Sequence, residues 1–306
     1  MKLNREQARR ELLMMLEASC NGTYFSTDEV KTHIAELLAP KNIVYMTGDT
    51  HGQFDRVINF CTDREVKKEN TFIILGDAGL NYYGGRRDAL NKKSLSELSI
   101  TFFCVHGNHE MRPSPSLGYE LREYHGGQVW AEPAFPNLVF AVDGEVYEFG
   151  SHACIVIGGA YSVDKHYRLA RGWGWWEDEQ PSEEIKAKVE RALADRNWKI
   201  DIVLSHTCPV RYEPTEAFLP MIDQSSVDKS TEQWLGEIEG RLSYERWYCG
   251  HYHIEKKIDK LRFMSGDFAL IPHPLSVAEE EAIVRRMEHQ AEVVQACELG
   301  GSGSQS

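Results

Sequence analysis

The sequence lacks the features that would place it in a membrane or outside the cell. It has no run of about 20 apolar residues, the length that a bilayer-spanning helix needs. The opening residues, MKLNREQARR, lack the apolar stretch of a signal peptide. The seven cysteines are widely spaced and never form a CxxC pair, which disfavours a disulfide framework or a thiolate zinc site. We therefore expect a reducing, cytoplasmic protein with no membrane association.

Positive charge is also scarce, because 34 lysines and arginines stand against 47 aspartates and glutamates, a net charge of −13. This balance weighs against binding of long nucleic acid, which requires a basic face. Short anionic substrates are not excluded, since a bound metal ion supplies positive charge that the formal count omits. With 42% apolar residues in 306, the chain has a globular composition.

The central part of the chain has the pattern of a layered α/β protein. Short β-branched and aromatic runs end in glycine or a polar cluster, as strands do in such proteins. A capped helical pattern covers residues 182–194. The strand-like runs are IVYM (43–46), TFIIL (71–75), ITFFCV (100–105), ACIVIG (153–158), DIVLS (201–205) and RWYC (246–249).

Helical patterns also flank this central region. Asn4 caps an amphipathic pattern near the start, and the S-x-x-E box of Ser276 and Glu279 opens a second one near the end. We expect an N-terminal helical extension over residues 1–40, a main domain over 41–275 and a C-terminal helix over 276–299. Residues 300–306, GGSGSQS, have the composition of an added flexible linker. The terminal helices are candidates for oligomerisation.

Five of the six strand-like runs are followed by Asp, His or Asn, in the motifs GDTHG, GDAG, HGNHE, SH and GHYH. Taken singly, each motif also fits a turn, a cap or a strand end. Ligands of α/β sheets gather beyond the carboxyl ends of strands, so together the motifs predict one shared crevice. Carboxylate, imidazole and amide groups suit manganese, iron, zinc or nickel, and seven are too many for one ion. Two divalent ions are therefore expected.

The order D-x-H, G-D, G-N-H-E, a lone H and G-H-x-H resembles the signature of the calcineurin-like metallophosphoesterases. The blocks run from Asp49 to His253, about two thirds of the chain. The resemblance implies an α/β sandwich of two mixed β-sheets flanked by helices, with two metal ions at the strand ends, manganese being the first choice. It implies that one ion is held by Asp49, His51, Asp77 and His253, and the other by Asp77, Asn108, His206 and His251.

The same resemblance implies a mechanism of phosphoester hydrolysis. A hydroxide held between the ions attacks phosphorus in line, and a protonated His109 donates to the departing oxygen. Glu110 is either an orienting partner of His109 or a surface carboxylate. The expected substrate is a phosphorylated small molecule, a nucleotide or a phosphoprotein.

The second block departs from that of the serine/threonine protein phosphatases, which carry G-D-x-V-D-R-G. Residues 76–82 read GDAGLNY, without the second acid that orients the histidine and without the arginine that binds phosphate. Arg112, two residues after GNHE, is expected to contact the substrate phosphate instead, with Arg86 and Arg87 as alternatives.

The leading functional hypothesis is hydrolysis of a phosphomonoester or a small phosphodiester. The alternatives are a nuclease or cyclic-nucleotide phosphodiesterase of the same superfamily and a non-catalytic, protein-binding scaffold. Residues 172–179, GWGWWEDE, form either a lid or base-stacking surface or a loop whose indoles cover the core.

Overall fold

The strand-like runs form two β-sheets in the computed structural model, which describes residues 42–220 and 222–271. The expected terminal helices and tail lie outside these residues, at 1–40, 276–299 and 300–306. The domain boundaries, and the role of the terminal helices in oligomerisation, therefore stay predictions. The strands are β1 (Val44–Thr47), β2 (Thr71–Ile74), β3 (Thr101–Cys104), β4 (Glu120–Tyr124), β5 (Gly127–Ala131), β6 (Leu138–Ala141), β7 (Val146–Phe149), β8 (His152–Ile157), β9 (Ile202–Ser205), β10 (Arg246–Cys249), β11 (Lys256–Ile258), β12 (Leu261–Phe263) and β13 (Ala269–Leu270).

The α-helices of the described region are α1 (Asp55–Asp63), α2 (Arg86–Ser96), α3 (Lys165–Arg171), α4 (Glu183–Ala194) and α5 (Ser230–Arg241). Short 3-10 helices cover Pro115–Leu117, Val210–Tyr212, Thr215–Ala217 and Gln224–Ser226. The capped pattern at 182–194 is confirmed, because Ser182 Oγ accepts a hydrogen bond of 3.3 Å from the Ile185 N–H at the start of α4.

Both sheets are mixed, with a parallel centre and antiparallel edges. The first has the strand order β13-β1-β2-β3-β6-β5-β4 and the second β11-β12-β10-β9-β8-β7. Strands β1, β2, β3 and β6 run parallel, as do β8, β9, β10 and β12. Thr47, Ile74 and Cys104 pair side by side, so β1, β2 and β3 end at the same level. Ser205 and Cys249 likewise align the ends of β9 and β10.

The apolar core lies in three layers. One cluster joins the facing surfaces of the two sheets and includes Met46, Ile73 and Val156. A second lies on the outer face of the first sheet, against α1 and α2, and a third lies on the outer face of the second sheet, against α4 and α5. Sheets covered on both faces have continuous apolar strands, which explains the uninterrupted runs in the sequence. The expected α/β sandwich flanked by helices is confirmed.

The described part of the chain has short helices and buried cysteines. None of its helices has the combined length and apolar character needed to cross a bilayer. Its cysteines are free and buried, and burial raises the pKa of Cys61 to about 12. These thiols belong to the buried core.

Candidate metal centre

The strand ends bring the predicted ligands into one crevice. Asp49 and His51 follow β1, Asp77 follows β2, Asn108 follows β3, His206 follows β9, and His251 and His253 follow β10. Backbone hydrogen bonds join these loops. The His51 N–H donates to the Asp77 carbonyl at 2.8 Å, the His109 N–H to Asp77 Oδ1 at 2.7 Å, and the His251 N–H to Asp49 Oδ1 at 3.0 Å. The loops after different strands therefore fix one another.

Asp49, His51 and His253 form the first group of convergent ligand atoms. His253 Nε2 lies 3.1 Å from Asp49 Oδ2 and 3.0 Å from His51 Nε2, and His51 Nε2 lies 3.9 Å from the same carboxylate oxygen. Both histidines are exposed, whereas the side chain of Asp49 is buried. This side of the centre is open to solvent.

Asp77, His206 and Asn108 form the second, fully buried group. His206 Nε2 lies 3.7 Å from Asp77 Oδ2 and 2.8 Å from Asn108 Oδ1. Asp77 Oδ2 is also 3.9 Å from His51 Nε2, so this one carboxylate faces both groups. The ring of His251, on the same side, has its centre 5.0 Å from that of His206.

The hydrogen-bond partners in the second group are compatible with a bound cation. His206 Nδ1 faces the Leu75 carbonyl at 2.8 Å and therefore carries a proton there, which leaves Nε2 with a lone pair in the neutral ring. Asn108 Nδ2 donates to Ser162 Oγ at 2.9 Å, which turns Oδ1 toward that same nitrogen. In a doubly protonated ring Nε2–H would donate to Asn108 Oδ1, 2.8 Å away, whereas in the neutral ring the two acceptors face each other and a cation beside them would satisfy both. The residues present thus fit a divalent ion with nitrogen and oxygen ligands.

The pKa shifts of the predicted ligands favour cation binding. Burial opposes ionisation of Asp49 and Asp77, but His206 and the neighbouring histidines outweigh it and lower the pKa of both carboxyls. The hydrogen bond from His253 to Asp49 raises the pKa of that histidine. Burial lowers the pKa of His251 to about 3, so its ring is neutral and free to coordinate.

The backbone of the centre is strained at four of the seven predicted ligands. His51, Asp77, His251 and His253 have φ angles of 47°, 47°, 68° and 52°, in the left-handed region that non-glycine residues rarely adopt. Each such residue costs about 1 kcal/mol and persists only where the surroundings enforce it. Gly107 also permits the geometry, because a Cβ there would overlap Asp77 Oδ1.

His109 lies at the rim of this centre with about a quarter of its side chain exposed. Its ring stacks on Tyr82, with centroids 6.4 Å apart, and its Nε2 faces Asp164 Oδ1 at 3.7 Å. Burial lowers the pKa of His109, although Asp77 and Asp164 oppose that shift. Glu110 is not at the surface: its Oε1 accepts a hydrogen bond from the Gly107 N–H at 3.0 Å. The sequence left Glu110 as either an orienting partner of His109 or a surface carboxylate, and it did not identify Asp164 as a neighbour of His109.

Arg112 is not brought into the ligand cluster by its described contacts. Its Nη1 pairs with the buried carboxylate of Asp143, and its Nε donates to the Asp178 carbonyl at 2.7 Å. Arg86 and Arg87 lie exposed at the start of α2, where the guanidinium of Arg87 covers a tyrosine ring. The substrate contact predicted for Arg112 gains no support from these contacts and stays a prediction.

The tryptophan-rich loop faces both the site and the solvent. Trp176 packs against Tyr82 with ring centroids 5.6 Å apart, and Trp175 Nε1 donates to Glu179 Oε2 at 2.8 Å. Trp173 is half exposed and contacts Tyr167 of α3. Two indoles therefore pack inward beside the residues that surround His109, whereas the third stays open.

Comparison with known proteins agrees with this geometry. The model of the calcineurin-like phosphoesterase family matches residues 44–255, more than half of the chain. The chain therefore belongs to the calcineurin-like phosphoesterases. Membership supports a metal-dependent hydrolase of phosphate esters, in a family that is typically dinuclear.

Individual proteins resemble the chain less clearly than the family model does. No curated protein matches the chain significantly. Among solved structures, TT1561 of Thermus thermophilus is 12% identical with a TM-score of 0.40, over 73% of this chain and 88% of that one. A protein serine/threonine phosphatase from Saccharomyces cerevisiae is 14% identical with a TM-score of 0.26, over 74% of this chain and 67% of that one.

Proposed function

We propose that this protein hydrolyses a phosphomonoester or a small phosphodiester with two divalent metal ions, manganese being the first choice and iron, zinc or nickel the alternatives. The observation that carries the proposal is that Asp77 faces both ligand groups: its Oδ2 lies 3.9 Å from His51 Nε2 and 3.7 Å from His206 Nε2. One carboxylate that faces both groups would serve as a ligand to two ions.

The proposed ligands are those of the two groups: Asp49, His51, Asp77 and His253 for one ion, and Asp77, Asn108, His206 and His251 for the other. When bound, the ions supply an activated water and neutralise charge on the phosphoryl oxygens. The protein orients these ligands through the hydrogen bonds of Asp49 and Asp77 to backbone N–H groups.

His109 is the proposed general acid. As the phosphorus–oxygen bond breaks, a proton moves from the His109 ring to the departing ester oxygen, and the ring later recovers a proton from water. A substrate phosphate beside the ring favours its protonated form and so offsets the effect of burial. A phosphate contact through Arg112 requires that its guanidinium exchange Asp143 for the substrate.

The proposed substrates are phosphorylated small molecules, nucleotides or phosphoproteins, in a reducing cytoplasm with which the free cysteines agree. The test is hydrolysis of 4-nitrophenyl phosphate and of bis(4-nitrophenyl) phosphate by chelator-treated protein, before and after manganese is restored. Manganese-dependent turnover is expected. Preference for the diester, followed by turnover of cyclic nucleotides or single strands, would favour the phosphodiesterase or nuclease alternative. Absence of metal binding would favour the scaffold alternative.

Asp77→Asn provides the sharpest variant for this test. It keeps the shape of the side chain but removes the charge that faces both ligand groups, so turnover should fall by roughly a hundredfold or more, with weaker manganese binding. The matched control is Asp63→Asn, at the exposed end of α1. Wild-type activity in the Asp77 variant would refute the proposed centre.

A further inference from the structure

In the protein phosphatases, an acid in the second sequence block orients the general-acid histidine. Here the second block, residues 76–82, lacks this acid. We infer that Asp164, fixed by Arg168, is the positioning residue for His109. This inference rests on the proposed function, in which His109 protonates the leaving group. It assigns to the segment 162–168, which follows β8 and includes the first turn of α3, a role that the second block does not fill.

Asp164 has an oxygen that faces His109 and needs a donor. Its Oδ1 is shielded from solvent and has no hydrogen-bond partner among the described residues, yet lies 3.7 Å from His109 Nε2. A shielded carboxylate oxygen without a donor is costly, and a shift of less than 1 Å would bring the imidazole N–H within hydrogen-bond distance. Of the two His109 ring nitrogens, Nε2 is the one that faces this oxygen. That arrangement leaves Nδ1 to serve the leaving group.

Arg168 holds Asp164 in place. The same Oδ1 lies 3.7 Å from Arg168 Nη1, and the Arg168 side chain is completely buried. Its guanidinium lies 5.7 Å from the ring centres of both Tyr82 and Trp176, and its Nε donates to the Gly174 carbonyl at 2.8 Å. A buried arginine is stabilised by a nearby anion, and a carboxylate facing it gains a fixed position.

The segment is also tied to the metal centre through Ser162. Its Oγ accepts hydrogen bonds of 2.9 Å from both Asn108 Nδ2 and Arg168 Nη1. Asn108 precedes His109 directly, so the segment that carries Asp164 is locked to the residue beside the general acid. Tyr82 stacks on the His109 ring from another side. The ring is therefore held by a stacking partner, by its backbone bond to Asp77 and by Asp164.

This positioning predicts a dependence on the leaving group. Departure of 4-nitrophenolate needs little protonation, whereas departure of phenolate or an alkoxide needs a proton from His109. With the manganese-loaded full chain, Asp164→Asn should lower kcat for phenyl phosphate by roughly a hundredfold, leave kcat for 4-nitrophenyl phosphate close to the wild-type value, and keep the bound manganese per chain unchanged. Glu177→Gln, an exposed acid of the neighbouring loop, is the matched control and should change neither rate.

A double-mutant cycle shows whether Asp164 acts through His109. His109→Gln should produce the same loss with phenyl phosphate, and Asp164→Asn added to it should have little further effect. An equal loss on both esters, an unchanged ratio of the two rates, or additive effects of the two substitutions would overturn the inference.

A readout independent of turnover separates this inference from the proposed function. In the chelator-treated, 15N-labelled chain, imidazole resonances assigned with His109→Gln should place the neutral-ring proton of His109 on Nε2, and Asp164→Asn should redistribute it. The same tautomer in both proteins would overturn the positioning role even if the enzyme is active. If wild type hydrolyses neither ester, the proposed function fails, and the tautomer measurement still decides whether Asp164 orients the ring.

Discussion

Glu110 provides a quantitative test of the electrostatics beneath the metal centre. Its carboxyl group is fully buried, its Oε1 accepts from the Gly107 N–H, and its Oε2 has no hydrogen-bond partner in the described part of the chain. Burial, reinforced by the negative charge of Asp77, raises the pKa of Glu110 from 4.5 to about 8. In the metal-free protein Glu110 is therefore neutral near pH 7, whereas in the unfolded chain it is ionised.

The sign of the pH effect follows from this difference. Because the pKa of Glu110 is higher in the folded state, its contribution to stability is fully present below its unfolded value of 4.5 and is lost as the pH rises toward about 8. Each pH unit in this window changes the free energy of unfolding by about 1.4 kcal/mol. Between about pH 5 and about pH 7 the wild type should lose roughly 3 kcal/mol through this group.

Glu110→Gln removes the titration and keeps an oxygen for the Gly107 N–H. Urea unfolding of the chelator-treated proteins should show the stability of the variant relative to wild type increasing by roughly 3 kcal/mol from about pH 5 to about pH 7. Glu120→Gln, at an exposed position of β4, is the control and should show a constant difference. Manganese should reduce the slope, because nearby cations favour the ionised carboxylate. A pH-independent difference for Glu110→Gln would refute the reasoning.

Two further predictions concern metal binding. Histidine ligands bind metal as neutral rings, so manganese content measured by atomic emission should fall as the pH drops below about 6.5. His253, whose pKa is raised by Asp49, should protonate first. Metal content that stays constant down to about pH 4.5 would contradict a histidine-rich site. Gly107→Ala places a methyl group against Asp77 Oδ1 and should weaken manganese affinity in titration calorimetry by roughly ten- to a hundredfold, whereas Gly240→Ala, where the methyl meets no neighbour, should leave it unchanged.

The central strands could be predicted from the sequence because they are buried on both faces. β2 and β9, for example, consist entirely of buried residues, and their runs are apolar without interruption. The edge strands left no such signal. β4 reads ELREY and carries three exposed residues, and the three-residue strand β11 has no buried one. Strands of this kind are defined by pairing with a neighbour, which a single apolar pattern does not encode.

The residues of the candidate site also divide into those that the sequence predicts and those that it does not. The seven predicted ligands stand in short motifs directly after strands, so local spacing together with the sheet edge predicts that they meet. Asp164 and the Arg112 pair were beyond this reasoning, because each contact is made by tertiary approach. Asp164 reaches His109 across 55 sequence positions, and the Asp143 that engages Arg112 is 31 positions away. Asp164 does follow the strand-like run ACIVIG, but that position alone does not distinguish it from other acids in loops.

The strained backbone gives a physical reason why this site and its metal belong together. Left-handed φ angles occur at His51, Asp77, His251 and His253, and each is maintained at a cost of about 1 kcal/mol by the surrounding fold. Repulsion between the carboxylates of Asp49 and Asp77, which acts to raise the pKa of Asp49, adds a second contribution that a bound cation would relieve. Both contributions are specific to the folded state, so an ion that binds only there stabilises the fold in proportion to the logarithm of its concentration. We therefore interpret the crevice as a preorganised cation site, because the left-handed backbone and the convergent ligand atoms occur in the same loops.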